Sequence, residues 1–239
     1  MRGQILMIDD NPLDLKVAGL TLERIGYSCH GFTEPHAALV WLNDYTPQII
    51  LLDLQLANGA TGFQMIKDFR RSPQTAKTPI VIISGKNDIA DVRKAIKLGA
   101  NDYIVKPLDA LVIQEKMLKI GNSGPESFSG VDVPDHFEQA VFIRTPFRLL
   151  AVSEFGLRLA ASTPIKPGTN MELGGFDQEL FGFDQVMARC LSCDSSTEHN
   201  GFVVQFTFIG ISERHRQTLR KACRYFYVMR RGPEEGTGA

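Results

Sequence analysis

The first half of the chain is built from short apolar runs that each stop at a polar residue, separated by stretches of helical periodicity. Ile5-Leu6-Met7-Ile8 stops at Asp9-Asp10, and Ile49-Ile50-Leu51-Leu52 stops at Asp53. Pro79-Ile80-Val81-Ile82-Ile83 ends at Ser84, and Tyr103-Ile104-Val105 at Lys106-Pro107. Tyr27 to Phe32 adds an edge-like strand. Helical patterns fall near 12–25, 35–43, 62–71, 88–98 and 109–120. Pro12 suits an early helical position, and Gly26 and Gly99 suit helix ends. Strands that are apolar throughout are buried on both faces, as in a parallel sheet covered by helices on each side. The pattern therefore predicts a five-stranded, parallel, doubly wound α/β domain over residues 1–121.

That fold dictates where chemistry can sit. Right-handed crossovers gather the strand C-termini along one edge, and ligands of open α/β sheets bind there. Asp9, Asp10, Asp53, Ser84 and Lys106 all fall at that edge. Any one of them alone is an ordinary strand-end residue; five groups from four strands are a constellation. Clustered carboxylates raise one another's pKa, and a hard divalent cation relieves the repulsion. An all-oxygen donor set that keeps some waters suits Mg²⁺. Asp53 can then act as a nucleophile toward phosphorus, giving an aspartyl phosphate. Lys106 supplies a compact positive charge for the phosphoryl group, and Ser84 a hydroxyl donor. The competing enzymatic reading is a phosphatase with Asp53 as nucleophile. It needs a second acid two residues on to protonate the leaving group, and Gln55 cannot serve. The expectation is a phosphoacceptor with at most autophosphatase activity, not an enzyme.

A length of 239 residues leaves room for a second domain. Residues 122–136 are rich in Gly, Ser, Pro and Asp and read as a linker. Over 137–231 the pattern changes to short, evenly spaced strands divided by turn residues, which suggests an antiparallel barrel. Ser212 caps a terminal helix with apolar positions Leu219, Ala222, Cys223 and Phe226. Residues 232–239 read as a disordered tail. Lys and Arg total 26 against 27 Asp and Glu, so no concentrated basic face marks the chain as a DNA binder. No basic helix-turn-helix pattern follows the linker either. The local excess Arg220, Lys221, Arg224, Arg230, Arg231 reads as the solvated face of the last helix. Cys190 and Cys193 form one C-x-x-C without a second pair or a nearby His pair, Cys190 in a strand-like run and Cys193 at the turn beyond it, so zinc is not expected. The remaining cysteines, Cys29 and Cys223, read as small core residues. There is no signal-peptide pattern and no apolar run near the roughly 20 residues that span a bilayer. A cytoplasmic protein without membrane insertion is expected.

Residues 4–119 resemble the receiver domain of two-component response regulators. The likeness rests on Asp9-Asp10, Asp53, Ser84-Gly85 and Lys106-Pro107, the last preceded by Gly99-Ala100-Asn101-Asp102-Tyr103. It implies that Asp53 accepts phosphate from a partner histidine kinase. It also implies that Asp10, Asp53 and the backbone carbonyl of Gln55 bind Mg²⁺, with Asp9 assisting. Ser84 and Tyr103 match the family's switch pair, which reshapes the face of the fourth helix, fifth strand and fifth helix and so drives dimerisation or interdomain rearrangement. One departure lies after Asp53. The family usually has Pro four residues on; here that position is Ala57, and Asn58-Gly59-Ala60-Thr61-Gly62 looks one residue longer.

Residues 141–229 resemble a PilZ domain, a small β-barrel that often binds cyclic di-GMP. The likeness lies in Val152-Ser153-Glu154-Phe155-Gly156-Leu157-Arg158-Leu159, in Ile165 to Leu173, in the strands from Val186 and Phe202, and in Ile211-Ser212-Glu213-Arg214. It implies a dinucleotide site at Arg144 and Arg148, as R-x-x-x-R, and at Ser153 and Gly156, from D/N-x-S-x-x-G. Ala151 replaces the leading acid or amide, and Arg148 lies inside the strand that leads to Ser153. The expected output is therefore a degenerate PilZ-like domain that contacts a downstream protein; a working cyclic di-GMP site is the alternative.

Overall fold

The computed structural model of the protein describes residues 3–59, 61–121, 131–132, 140–143 and 145–231. The chain divides into two compact units, Met1–Ser123 and Gly124–Ala239.

In the first unit strands and helices alternate as β1 (Gly3–Ile8), α1 (Pro12–Arg24), β2 (Tyr27–Phe32), α2 (Pro35–Trp41), β3 (Ile49–Asp53), α3 (Gly62–Arg71), β4 (Ile80–Ser84), α4 (Ile89–Leu98), β5 (Asp102–Val105) and α5 (Ala110–Gly121). The sheet order is β2-β1-β3-β4-β5, and every pairing is parallel. The expected doubly wound architecture is present. Every residue of β3 and β4 is buried, because helices cover both faces. Side chains start the helices: Asn11 caps α1, Thr61 caps α3 and Asp88 caps α4, each oxygen accepting a first-turn N–H. Helix α3 buries Met65, Ile66 and Phe69 on one face. Helix α2 stops at Trp41, about a half-turn before the expected 43.

Register then sets the functional edge. Ile8 pairs Leu52, Asp53 pairs Ile83, and Ser84 pairs Val105. Asp9, Asp53, Ser84 and Lys106 thus lie along neighbouring strand ends. The opposite edge is clamped by Arg70 at the end of α3. Its guanidinium donates to the Gly99 carbonyl at 2.8 and 3.0 Å, to the Thr78 carbonyl at 2.8 Å and to Asn101 Oδ1 at 2.8 Å. Asn101 Oδ1 also accepts the Ile80 N–H at 2.9 Å. One cation therefore ties α3 to the entrances of β4 and β5. Beneath α5, Lys116 Nζ donates to Asp102 Oδ1 at 2.8 Å, with both side chains 7% exposed.

The second unit contains β6 (Val131–Asp132), β7 (Ala140–Ile143), β8 (Thr145–Val152), β9 (Gly156–Ala161), β10 (Asn170–Gly174), α6 (Gln178–Phe181), β11 (Gln185–Ser196), β12 (Gly201–Ile209) and α7 (Glu213–Arg231). Its antiparallel sheet has the order β6-β8-β7-β10-β11-β12-β9, and β8 also pairs β9. The sheet is thus curled on itself, and among the described residues β7 and β10 meet at the pair Gly174 and Phe142. Leu157, Leu159, Val204, Phe206 and Phe208 alternate inward. Leu219, Ala222 and Phe226 of α7 pack on that core, as the helical spacing of these residues predicts.

Three features depart from the sequence reading. Val131 and Asp132, inside the expected linker, pair with Val152 and Ala151. Along β8, β7 reaches Thr145–Arg148 and β6 pairs further along the same edge among the described residues. β11 continues past the expected turn: a bulge between Cys190 and Ser192 lets it run on, and Cys193 pairs Val204 within the strand. Helix α6 is too short to show periodicity. Asp177 caps it by accepting the Glu179 and Leu180 N–H groups, and Gly182 ends it at φ 83°. The expected tail at 232–239 lies outside the described residues. Among the described residues no helix is long and apolar enough to cross a membrane.

Candidate functional site

The ends of β1 and β3 bring carboxylate oxygens of Asp9, Asp10 and Asp53 within 4.8 Å of one another. Asp9 is fully buried, Asp53 is nearly so, and Asp10 is exposed. Burial lifts the Asp9 pKa above its ordinary value; its bonds to Lys106 and to the Asn11 N–H pull the other way and do not cancel it. Asp9 Oδ2 has no hydrogen bond of acceptable direction, although Lys106 Nζ stands 2.9 Å away as an ion-pair partner. A buried carboxylate oxygen in that condition, beside two more carboxylates, fits a divalent cation. Gln55 is exposed, and its N–H donates to Asp53 Oδ1 at 2.9 Å, so its backbone borders the cluster.

Lys106, delivered by the end of β5 and a cis Lys106–Pro107 peptide, is the counter-charge. Its ammonium lies 2.6 Å from Asp53 Oδ2, 2.8 Å from Asp14 Oδ2 and 2.9 Å from Asp9 Oδ2. Burial opposes the charge on Lys106, but bonds to Asp14, Asp53 and Asp9 outweigh it and hold the pKa above that of an ordinary lysine. Ser84 is fully buried, and its Oγ accepts the Lys86 N–H at 3.3 Å. Tyr103 is 1% exposed, and its hydroxyl donates to the Lys86 carbonyl at 2.9 Å. Burial pushes the Tyr103 hydroxyl up to about 12, with a bond to Ser84 acting against it. Both members of the expected switch pair therefore hold the same residue of the β4–α4 loop.

The loop after Asp53 closes by a 3₁₀ turn over Ala57–Gly59 and a bridge between Gln55 and Thr61. Gly62 follows, and a Cβ there would stand 2.2 Å from the Asp53 carbonyl oxygen and 2.7 Å from Leu54 Cα. Only glycine lets this loop lie against the backbone that carries Asp53.

The family model described as response regulator receiver domain matches residues 5–118. Residues 5–118 are a response regulator receiver domain. The receiver domain is 29% identical over 120 residues to the transcriptional regulatory protein AfsQ1 of Streptomyces coelicolor, covering 50% of this chain and 52% of AfsQ1. It is 31% identical over 107 residues to the phosphate regulon transcriptional regulatory protein PhoB of Escherichia coli, covering 45% of this chain and 46% of PhoB. The chain spans about half the length of these curated relatives. The solved chemotaxis response regulator CheY4 of Vibrio cholerae aligns at 21% identity with TM-score 0.46, over 49% of this chain and 97% of its own. The receiver domain of a Pseudomonas aeruginosa sensor histidine kinase, solved with magnesium coordinated in its active-site cleft, aligns at 23% identity and TM-score 0.46, over 50% of this chain and 98% of its own.

Sequence reasoning on the receiver domain missed Asp14, Gly62 and Lys86. Asp14 reads as a helix-favouring acid in the first turn of α1, and nothing in a linear pattern links it to Lys106. The Asn-Gly-Ala-Thr-Gly spacing flagged the loop of Gly62 but not the close approach.

In the second unit the described residues among the four singled out, Arg148, Ser153 and Gly156, do not form one cluster. Arg144 lies outside the described residues. Arg148 is exposed on β8, and its Nη2 lies 2.8 Å from His199 Nδ1. Ser153 lies five residues further along, about 16 Å at the usual rise of an extended strand. The Ser153 hydroxyl accepts the Phe155 and Gly156 N–H groups at 3.2 and 3.1 Å and lies 3.2 Å from the Gly156 carbonyl. A Cβ at Gly156 would stand 2.0 Å from the Phe206 carbonyl oxygen. Both residues of that motif thus build the β8–β9 turn. Cys190 and Cys193 both meet Ile165: the Cys190 thiol lies 3.7 Å from its carbonyl, and Cys193 Sγ accepts its N–H at 3.3 Å.

Proposed function

We propose that the protein is a phosphorylation-controlled signalling switch that receives a phosphoryl group on Asp53 from a partner histidine kinase. The observation that carries the reading is the Asp53 carboxylate held between Lys106 and two further acids at one strand edge. A carboxylate oxygen of Asp53 attacks phosphorus, the N–P bond of a phosphohistidine breaks, and the imidazole leaves and takes up a proton. Asp9, Asp10 and Asp53, with the Gln55 carbonyl, would hold Mg²⁺, which would neutralise charge on the phosphoryl oxygens. Lys106 orients and balances the new dianion, and Ser84 donates its hydroxyl to it. Ser84 accepts the Lys86 N–H and Tyr103 donates to the Lys86 carbonyl, so movement of the Ser84 hydroxyl toward a phosphoryl group would pull on the β4–α4 loop, the part that responds.

The second unit is then the output, a PilZ-like domain that acts by contact with a protein, with dimerisation as the other route. Three observations support protein contact over cyclic di-GMP: the use of Ser153 and Gly156 in a turn, the Arg148–His199 contact, and Ala151 in place of an acid or amide.

Labelling with acetyl phosphate in Mg²⁺ tests the first claim. Wild-type protein takes up one phosphoryl group and Asp53→Asn takes up none; equal labelling of both overturns the site. Steady turnover of a phosphomonoester would overturn the non-enzymatic reading. Titration with labelled cyclic di-GMP tests the output, and micromolar binding abolished by Arg148→Ala overturns protein contact as its mode.

A further inference from the structure

Lys106 Nζ donates to Asp53 Oδ2 at 2.6 Å and is ion-paired with Asp14 Oδ2 at 2.8 Å and Asp9 Oδ2 at 2.9 Å, so three carboxylates already share its charge before any phosphoryl group arrives. Two of these, Asp9 and Asp53, belong to the cluster whose oxygens lie within 4.8 Å of one another. The third, Asp14, is outside it. Asp14 is fixed from its own side by the first turn of α1, where the helix dipole favours an acid, and by the Asn11 side-chain amide, which donates to Asp14 Oδ2 at 3.0 Å. Asn11 is itself locked: its Oδ1 caps α1 through the Leu13 N–H, and its own N–H donates to Asp9 Oδ1 at 3.0 Å. The Asp14 carboxylate is therefore held in place beside Lys106 and cannot follow the ammonium freely.

A phosphoryl oxygen on Asp53 engages Lys106 in competition with these carboxylates. A cation in the cluster would draw on Asp9 and Asp53, but it would leave the Asp14 contact intact. We propose that Asp14 is a positioning residue that competes with the phosphoryl group for Lys106, and that it shortens the life of the phosphorylated state. This rests on Asp53 being the phosphoacceptor. Charge points the same way: four acids crowd one lysine at this edge, and a phosphoryl dianion adds to the excess.

The full chain with Asp14→Asn is expected to bind beryllofluoride, in saturating Mg²⁺, about five-fold more tightly, the size of a partly exposed ion pair. Its aspartyl phosphate should decay more slowly by a similar factor, and Asp14→Glu, which keeps the charge, should stay near wild type. The ¹⁵N resonance of Lys106 Nζ reads the contact directly and should shift in Asp14→Asn without beryllofluoride. A residue that serves only to stabilise α1 would lower the melting temperature and leave beryllofluoride affinity unchanged. If Asn at 14 prevents folding, Asp14→Ser carries the same comparison. Unchanged or weaker beryllofluoride binding in a folded neutral variant overturns the proposal. Absence of labelling in the wild type, or labelling that survives Asp53→Asn, would instead overturn the phosphoacceptor reading.

Discussion

The Tyr103 hydroxyl donates to the Lys86 backbone carbonyl at 2.9 Å, which fastens the β4–α4 loop to the ring of a side chain buried in β5. Tyr103 has a raised pKa, so the folded state favours its neutral form. The stability this gives is complete below the unfolded value near 10, and it is lost as pH rises through about 12. Stability of the wild type should fall across that window by about 2–3 kcal/mol more than that of Tyr103→Phe. Urea unfolding at pH 8 and pH 11.5 measures the difference.

Lys106 occupies the electrostatic place that a dication would share. Replacing it with Met leaves Asp9, Asp14 and Asp53 without their common counter-charge. Mg²⁺ should bind several-fold more tightly to Lys106→Met, because a nearby like charge is gone. Without divalent ions the variant should melt lower than wild type, and Mg²⁺ should restore much of the loss. Calorimetric titration and melting with and without chelator check both.

Gly62→Ala would push a methyl group into the Asp53 and Leu54 backbone. Backbone cannot rotate away as a side chain can, so the loop must lift. A cost of about 2–3 kcal/mol is expected, together with weaker Mg²⁺ binding as Asp53 shifts. Gly59→Ala, which meets no atom within 4 Å but has φ +77°, should cost less and leave Mg²⁺ binding alone. Denaturant titration ranks the two.

Arg70 separates fold from site. Arg70→Ala removes charged bonds to the Gly99 and Thr78 carbonyls and to Asn101 at the edge away from the acids. It should destabilise the first unit by about 2–3 kcal/mol, while Mg²⁺ affinity of the folded protein stays at wild-type level. A parallel loss of affinity would show that the two edges are coupled.

How far the sequence reaches can be read residue by residue. β1, β3, β4 and β5 were legible because strands buried on both faces must be apolar throughout, and their ends then place Asp9, Asp53, Ser84 and Lys106 together. Asp14 was not, because its contact runs from the first turn of one helix to the end of the last strand. Gly62 was hidden for a related reason: a backbone-to-backbone approach leaves only a glycine, a residue that loops use for many purposes. In the second unit the strand from Phe202 was legible as a short apolar run divided from its neighbours by turn residues. The bulge after Cys190 was not, since an extra residue in one strand leaves no compositional mark. Ser153 and Gly156 were visible as a motif, but a motif does not say whether its hydroxyl faces a ligand or its own turn.

The Asp102–Lys116 pair constrains how α5 can move against β5. Sliding α5 along its axis by even one residue would pull the Lys116 ammonium off the Asp102 carboxylate in the protein interior, at a cost of several kcal/mol. Strand β5 and helix α5 are in effect riveted, and any rearrangement must carry them as a single plate. Motion is left to what is not riveted to them, the segment around Lys86 and the helix that follows it.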